Sequence, residues 1–335
     1  MNKVIRSIIS GFVLMGLGIV LMIFGSMNGG GSRVFWHHGN FWVPDEVKIH
    51  QQIKGVQNIT IQGDTLDVLI QPDAKVQNGM SIEGNLTNQA GFKVSKDQNT
   101  LKLNYQNMKD NMPNFSDVLQ DEDHLTIKVP QGTNLKKVKI NVQSGNVELK
   151  QITAQKAHLK NVDGQIKILQ GNLKAVDLNN NDGSTRLDGL KTQQIRIDTG
   201  AGNINLHQLK SDKTQVHIDE ADLVIQKSQL GQTLISINRG MTTIHQVTAQ
   251  DLFAQSIYGN YNLQEINLKG ASTVATQSGN INVNWQDNFG YRLVVQDQGK
   301  IKVKNVPYAK WYQTKFERVN RLTLTTYRGD IMVAK

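Results

Sequence analysis

The chain has 335 residues, of which 38% are hydrophobic and only 6% aromatic, so its core must be built mainly from aliphatic side chains. It has no cysteine, which excludes disulfides, thiolate metal sites and cysteine nucleophiles. Five Pro and 29 Gly exclude a collagen-like or proline-rich disordered chain, and a net charge of +9 favours anionic partners.

The first predicted element is a membrane anchor. Ser7 to Ser26 carries no charge, and a helix of that length at ~1.5 Å per residue spans the ~30 Å apolar core of a bilayer. Lys3 and Arg6 precede it and the next charge is Arg33. The positive-inside bias therefore predicts a cytoplasmic N-terminus and an extracytoplasmic remainder. No small-x-small site ends the apolar run, so an uncleaved anchor is expected rather than a signal peptide. Ser7, Gly11, Gly18 and Gly25 lie near one face, a pattern that permits close helix approach in lipid. Without Lys3 and Arg6, residues 27–335 hold 35 basic and 28 acidic side chains, a net +7.

Residues 1–26 thus form the cytoplasmic tip and transmembrane helix, and residues 27–44 a Gly/aromatic juxtamembrane linker. Within it, MNGGGSR is a flexible tether. In VFW–HHGN–FWV the near-mirror order predicts a small hairpin, and Phe35, Trp36, Phe41 and Trp42 suit the headgroup zone. His37 and His38 are turn residues on this reading, because adjacent strand positions point apart.

Residues 45–130 are β-rich but irregular (NITIQG, LDVLIQ, TLKLNYQ, HLTIKVP) and either start or cap the repeat region. Residues 106–123 are polar and mildly acidic, a surface loop. From 131 to 305 the chain repeats. Gly precedes an alternating run at Gly145, Gly164, Gly183, Gly202, Gly240 and Gly259, with Ala221 in the same slot, so six consecutive steps are 19 residues. Gly279, Gly299 and Gly329 extend the series with longer steps.

Two and four residues after each corner come apolar or Thr side chains: Val147/Leu149, Ile166/Ile168, Thr185/Leu187, Ile204/Leu206 and Leu223/Ile225. Period two places both columns on one side of a strand. A second stretch (Ile152/Ala154, Leu190/Thr192, Leu209/Ser211) and a third (Ala157/Leu159, Val176/Leu178, Ile195/Ile197) complete each repeat. No segment within a repeat is long enough for a crossover helix. The expectation is an all-β chain, a parallel β-solenoid of about 19 residues per coil behind an N-terminal transmembrane helix, each coil adding ~4.8 Å. Gly145 to Gly299 would make a shaft of roughly 40 Å. Asn161 and Asn180 fall in an inward column and are expected to bond to each other rung to rung. Residues 306–335 are the expected C-terminal cap.

The chain offers no catalytic, cofactor-binding or metal residues by pattern. His207 and His245 share an outward column but lie two coils apart, ~9.6 Å, with Gln226 between them. Asp163 and Asp182 neighbour each other beside corner glycines, where Asp favours turns. Arg328-Gly329-Asp330 spells an adhesion tripeptide, but Gly329 occupies a corner slot. No nucleophile elbow, phosphate loop or zincin motif occurs.

The anchor, NITIQGDTLDVLIQP, HLTIKVPQG and the SGNVEL/SGNINV rungs resemble the LiaG-like putative-adhesin family of bacterial membrane-anchored domains of unknown function. The resemblance covers residues 45–335 and implies a cell-envelope protein, in some members encoded beside envelope-stress systems. It brings no catalytic residues. The expected function is a non-enzymatic scaffold, sensor or ligand-binding surface at the cell membrane. The alternatives are an adhesin contacting host or neighbouring cells and a polysaccharide-active β-helix enzyme. Expected partners are the membrane itself, anionic polymer of a Gram-positive wall or lipid headgroups, and envelope-stress membrane proteins. No specific nucleic acid and no cofactor are expected. Outward Lys150, Lys167, Lys191, Lys210, Lys227, Lys302 and Lys304 are the cations available for such contacts.

Overall fold

The computed structural model describes residues 11, 13–18, 35–37, 40–42, 47–87, 90–106, 123–284 and 288–334. Of the expected anchor, only Gly11 and residues 13–18 are described. They are helical, and the rest of Ser7–Ser26 lies outside the described residues. No helix among the described residues is long and apolar enough to cross a membrane. The aromatic hairpin forms as the mirror pattern predicts, with Phe35 opposite Trp42 and Trp36 opposite Phe41.

The rest is all-β. A 28-stranded sheet winds around one aliphatic core. The regular coil consists of a four-residue strand and an eleven-residue strand, such as Val147–Lys150 and Thr153–Asp163. Each pairs in parallel with its equivalents above and below. The second and third predicted stretches are therefore one long strand with a bend. At the bend one residue drops out of the pairing, for example Gln155 between Ala154 and Lys156.

Stacking in register turns each sequence position into a column. Val147 lies on Ile166, Thr185, Ile204 and Leu223, and all five are buried. Of the predicted inward residues, Thr192 is only half-buried. Its hydroxyl turns back to donate to the carbonyls of Lys174 and Gln194.

Two corners hold the coil shape. At the first, Gly183 has φ +139° and an added Cβ would fall on the Gly164 carbonyl, so only glycine fits. Ala221 fills the slot without a positive φ. Beside this corner, side-chain oxygens accept the next rung's backbone N–H: Asp67 from Asn146 (2.6 Å), Asp222 from Met241 (2.7 Å) and Asn260 from Asn280 (2.8 Å).

The second corner has no glycine signature. Gln151, Gln170, Gln208, Lys227, Gln246 and Glu265 all take φ between 48° and 56°. A non-glycine residue there costs about 1 kcal/mol. The ladder offsets this with backbone bonds such as Gln151 N–H to Leu169 O (2.7 Å) and with side-chain bonds such as Gln151 to Gln170 (3.0 Å).

Asn161 and Asn180 are fully buried as expected, but they do not bond to each other. Asn161 donates to the Gly145 carbonyl (2.8 Å) and Asn180 to the Gly164 carbonyl (3.3 Å). The amide is drawn to the corner because the left-handed glycine turns its carbonyl towards it.

The coils leave chain order at both ends. Asn58–Thr65 and Asp67–Pro72 form the rung beneath Asn134–Lys150. Thr100–Tyr105 and His124–Val129 form a further rung beneath that one. At the other end Arg321–Ala334 inserts between Ala271–Asn284 and Gly290–Val303. The 30-residue step before Gly329 is this excursion. With the two N-terminal rungs and the Gly329 rung added to the Gly145–Gly299 span, the shaft is roughly 50 Å long.

Short antiparallel strands cover both outermost rungs. Phe92–Asp97 and Met80–Leu86 lie on one end, and Trp311–Thr314 and Val306–Tyr308 on the other. They block the addition of a further parallel rung. Most of the 106–123 loop lies outside the described residues. Its last residue, Asp123, is buried and accepts from the Tyr105 hydroxyl (2.6 Å) and Thr87 N–H (2.8 Å).

Leu206 is fully buried and Asn205 beside it is exposed. Leu206→Asp should cost about 4 kcal/mol or more, because it buries an unpaired carboxylate. Asn205→Asp should cost under about 0.5 kcal/mol. Thermal melts of the two variants check this, and equal midpoints would contradict the column assignment.

Candidate polyanion interface

The bend in the long strand is a convex edge, and convex exposed positions suit long charged side chains. Stacking gathers seven exposed lysines at and beside it: Lys136, Lys137, Lys156, Lys174 and Lys213 at the bend, and Lys191 and Lys210 two residues before it, where their strands begin. Lys137 sits on Lys156, and Lys191 on Lys210. Asp212, and Asp251 on a later rung, are the acidic residues at these positions among the described residues. None of the seven lysines forms an ion pair among the described residues. Vertical neighbours one rung apart repel by roughly 1 kcal/mol even in water. No ion pair among the described residues offsets that repulsion, and a polyanion lying along the edge would.

Of the seven lysines expected to face outward, Lys191 and Lys210 belong to this ridge. Lys150 and Lys167 lie on the adjacent short-strand face, in a shallow groove of about 420 Å³ that also includes Glu148, Arg186 and Asp188. Lys227 stands at the second corner, and Lys302 and Lys304 are on the outermost C-terminal rung. Sequence reading missed Lys136, Lys137, Lys156, Lys174 and Lys213. The signal was present: from Lys156 onward, the ridge residues fall eight, ten or eleven positions after a corner.

Two of the groove's other charges, Arg186 and Asp188, are paired. Arg186 binds Asp188 (2.7 Å), and Asp188 also meets His207 Nδ1 (2.9 Å). The hydrogen bond from Arg186 holds the Asp188 carboxyl below its ordinary value, with help from His207 and against the effect of burial. His245 lies two rungs from His207 and 3.6 Å from Glu265, so these histidines serve ion pairs on separate rungs. Asp163 and Asp182 are vertical neighbours and exposed. Arg328 pairs with Asp297 (3.1 Å), and Asp330 accepts from Lys300 N–H (2.8 Å). The tripeptide is thus built into a rung. Among the described residues no three His, Asp or Glu gather as a metal site.

The Toastrack DUF4097 profile matches residues 56–234 and 193–334, nearly the whole solenoid. The chain belongs to the Toastrack DUF4097 family. Membership agrees with the LiaG-like resemblance. No curated protein matches. Among solved structures, a "putative adhesin" from Parabacteroides merdae is 13% identical, with TM-score 0.43, over 87% of this chain and 96% of that one. A second from Bacteroides fragilis is 12% identical, with TM-score 0.32, over 86% and 96%. A "putative cell adhesion protein" from Clostridium sporogenes is 9% identical, with TM-score 0.23, over 87% and 99%.

Asp188 supplies a pH test of the groove in this Toastrack chain. Its lowered folded value stabilises the protein above the unfolded carboxylate value of ~3.9, and that contribution is lost as pH falls through the folded value. The melting-temperature gap between wild type and Asp188→Asn should therefore be full at neutral pH and close below about pH 4. A gap independent of pH would remove Asp188 from the ion-pair role.

Proposed function

We propose that this Toastrack protein is a membrane-anchored, extracytoplasmic solenoid of the bacterial envelope. On this reading it is a non-enzymatic scaffold whose lysine ridge holds an anionic wall polymer or lipid headgroups. The observation that carries the proposal is the cluster of seven exposed lysines, in three adjacent columns, that form no ion pair among the described residues. A flexible polyphosphate lying along the ridge would neutralise several at once and release its own counterions, as nucleic acids do on basic proteins. The uncharged Ser7–Ser26 run behind Lys3 and Arg6 supports the anchor and the N-in orientation. A tethered shaft would then present its ridge to polymer close to the membrane, where envelope-stress membrane proteins also lie.

The test is sedimentation of the detergent-solubilised full chain with purified walls, with and without their anionic polymer, across a salt series. Binding should fall linearly in log–log form with salt. Replacing Lys137, Lys156, Lys191 and Lys210 by Gln should flatten the slope by up to roughly three. Binding unchanged by salt and by polymer removal would rule this mechanism out. Topology is tested separately: protease added to intact protoplasts should digest the solenoid, and protection of it would defeat the anchored reading.

A further inference from the structure

The last rungs present a different surface. On the outward face of the long strands, a groove of about 630 Å³ runs across the rungs at Ser236, Gln255, Ala275, Thr325 and Gln296. None of its twelve lining residues is Asp, Glu, Lys, Arg or His, in a chain that is 19% charged. The equivalent positions on earlier rungs include Lys160, Asp198 and His217. The neutrality therefore belongs to these rungs and not to the column as a whole.

The groove's chemistry is of two kinds. Gln255, Gln277 and Gln296 present amides with no side-chain hydrogen-bond partner among the described residues. Asn238, beside them, is tied to Asp219 (2.8 Å). Apolar surface stands among the amides, with Tyr327 45% exposed and Ile257 39% exposed, and the neighbouring Phe253 is 42% exposed. Small residues form the floor, Ala275 among them.

Parallel pairing fixes the order along the axis: Ile257, Gln277, Tyr327, then Gln296. Tyr327 falls between two amides because Arg321–Ala334 inserts between older rungs. The rungs step by ~4.8 Å, close to the length of one pyranose in an extended β-linked chain. Amides suit vicinal hydroxyls as donor and acceptor together. A tyrosine face suits the C–H face of a sugar ring, and its hydroxyl suits the wet edge. The nearby Arg328, 5.6 Å from the Tyr327 ring, is already paired with Asp297, so a charged polymer would find no counter-charge among the lining residues, and an apolar peptide would leave the amides unpaired at a cost.

We propose that this groove binds an uncharged, extended β-linked oligosaccharide lying along the solenoid axis, with Tyr327 stacking on one ring and Gln277 and Gln296 holding hydroxyls of its neighbours. It is a second site, independent of the lysine ridge. The two differ in salt response, because the groove has no charge to screen.

The test uses the full chain in a sugar-free detergent, titrated calorimetrically with chitohexaose and with cellohexaose. At least one should bind, with affinity unchanged between about 50 mM and about 500 mM salt. Tyr327→Ala should weaken binding roughly five- to tenfold. Ala275→Trp fills the floor from an outward position and should abolish binding while the melting temperature stays unchanged. Replacing the four ridge lysines by Gln should leave affinity intact. No heat with either sugar at millimolar concentration would overturn the proposal. So would binding that falls with salt, or binding indifferent to both groove variants.

Discussion

Most rungs bring a corner glycine against the carbonyl of the neighbouring rung, and at those corners there is no room for a side chain. The rest of the shaft depends on this close approach. It fixes the register between rungs, because slipping by one residue would place a Cβ on a carbonyl oxygen at the glycine corners and turn the inward columns out. Gly183 and Gly329 show the demand at its strongest, with left-handed backbone stacked on the glycine of the neighbouring rung. Once register is fixed, one inward column gives a continuous aliphatic core and one outward column gives a ladder of like chemistry. Burial at roughly 25 cal/mol per Å² then accumulates with each rung added.

The same constraint explains how the ends differ from the middle. A rung in the shaft has two neighbours and a terminal rung has one, so its free edge would recruit other strands. Both ends solve this by sending the chain outward and back. The outermost rung is built by an excursion, and the strand nearer the terminus is enclosed. Short antiparallel strands then close the edge, and aromatic side chains are buried in both outermost rungs: Tyr105 at one end, and Phe289 and Tyr291 at the other. Buried Asp123 belongs to this solution, since a carboxylate holding Tyr105 and Thr87 ties the excursion back to the first rung.

The middle of this fold was legible in the sequence and its ends were not. A 19-residue period with Gly at the corner and alternation after it leaves one architecture that buries the apolar columns. Pairing order at the ends is invisible to such a pattern, because Arg321–Ala334 has the same alternation whether it stacks last or last but one. The second corner was hidden for another reason: Gln in a left-handed conformation has no compositional mark. Asn161 and Asn180 were correctly placed inside but given the wrong partner, since carbonyl orientation follows from φ and not from residue type. The lysine ridge was missed because lysines ten or eleven residues after a corner look unremarkable one repeat at a time. They become a feature only when repeats are read vertically.

A solenoid separates surface from core more completely than a globular fold does. Outward residues on one rung touch only outward residues on the rungs beside it, so a column can change chemistry along its length without disturbing packing. The outward face of the long strands does so. It carries Lys160, Asp198 and His217 on earlier rungs and then Ser236, Gln255, Ala275 and Thr325. The lysine cluster stops at Lys213, and the bend of the next rung is Gly231 and Gln232. On the rungs of the neutral groove the lysine cluster gives way at the bend to one anion, Asp251, and one cation, Lys269. A randomly decorated surface would mix cluster and groove, because like charges stacked one rung apart repel and dispersing them among neutral rungs would relieve that cost. Their segregation against this electrostatic preference is the physical reason to assign the two halves of the shaft different partners.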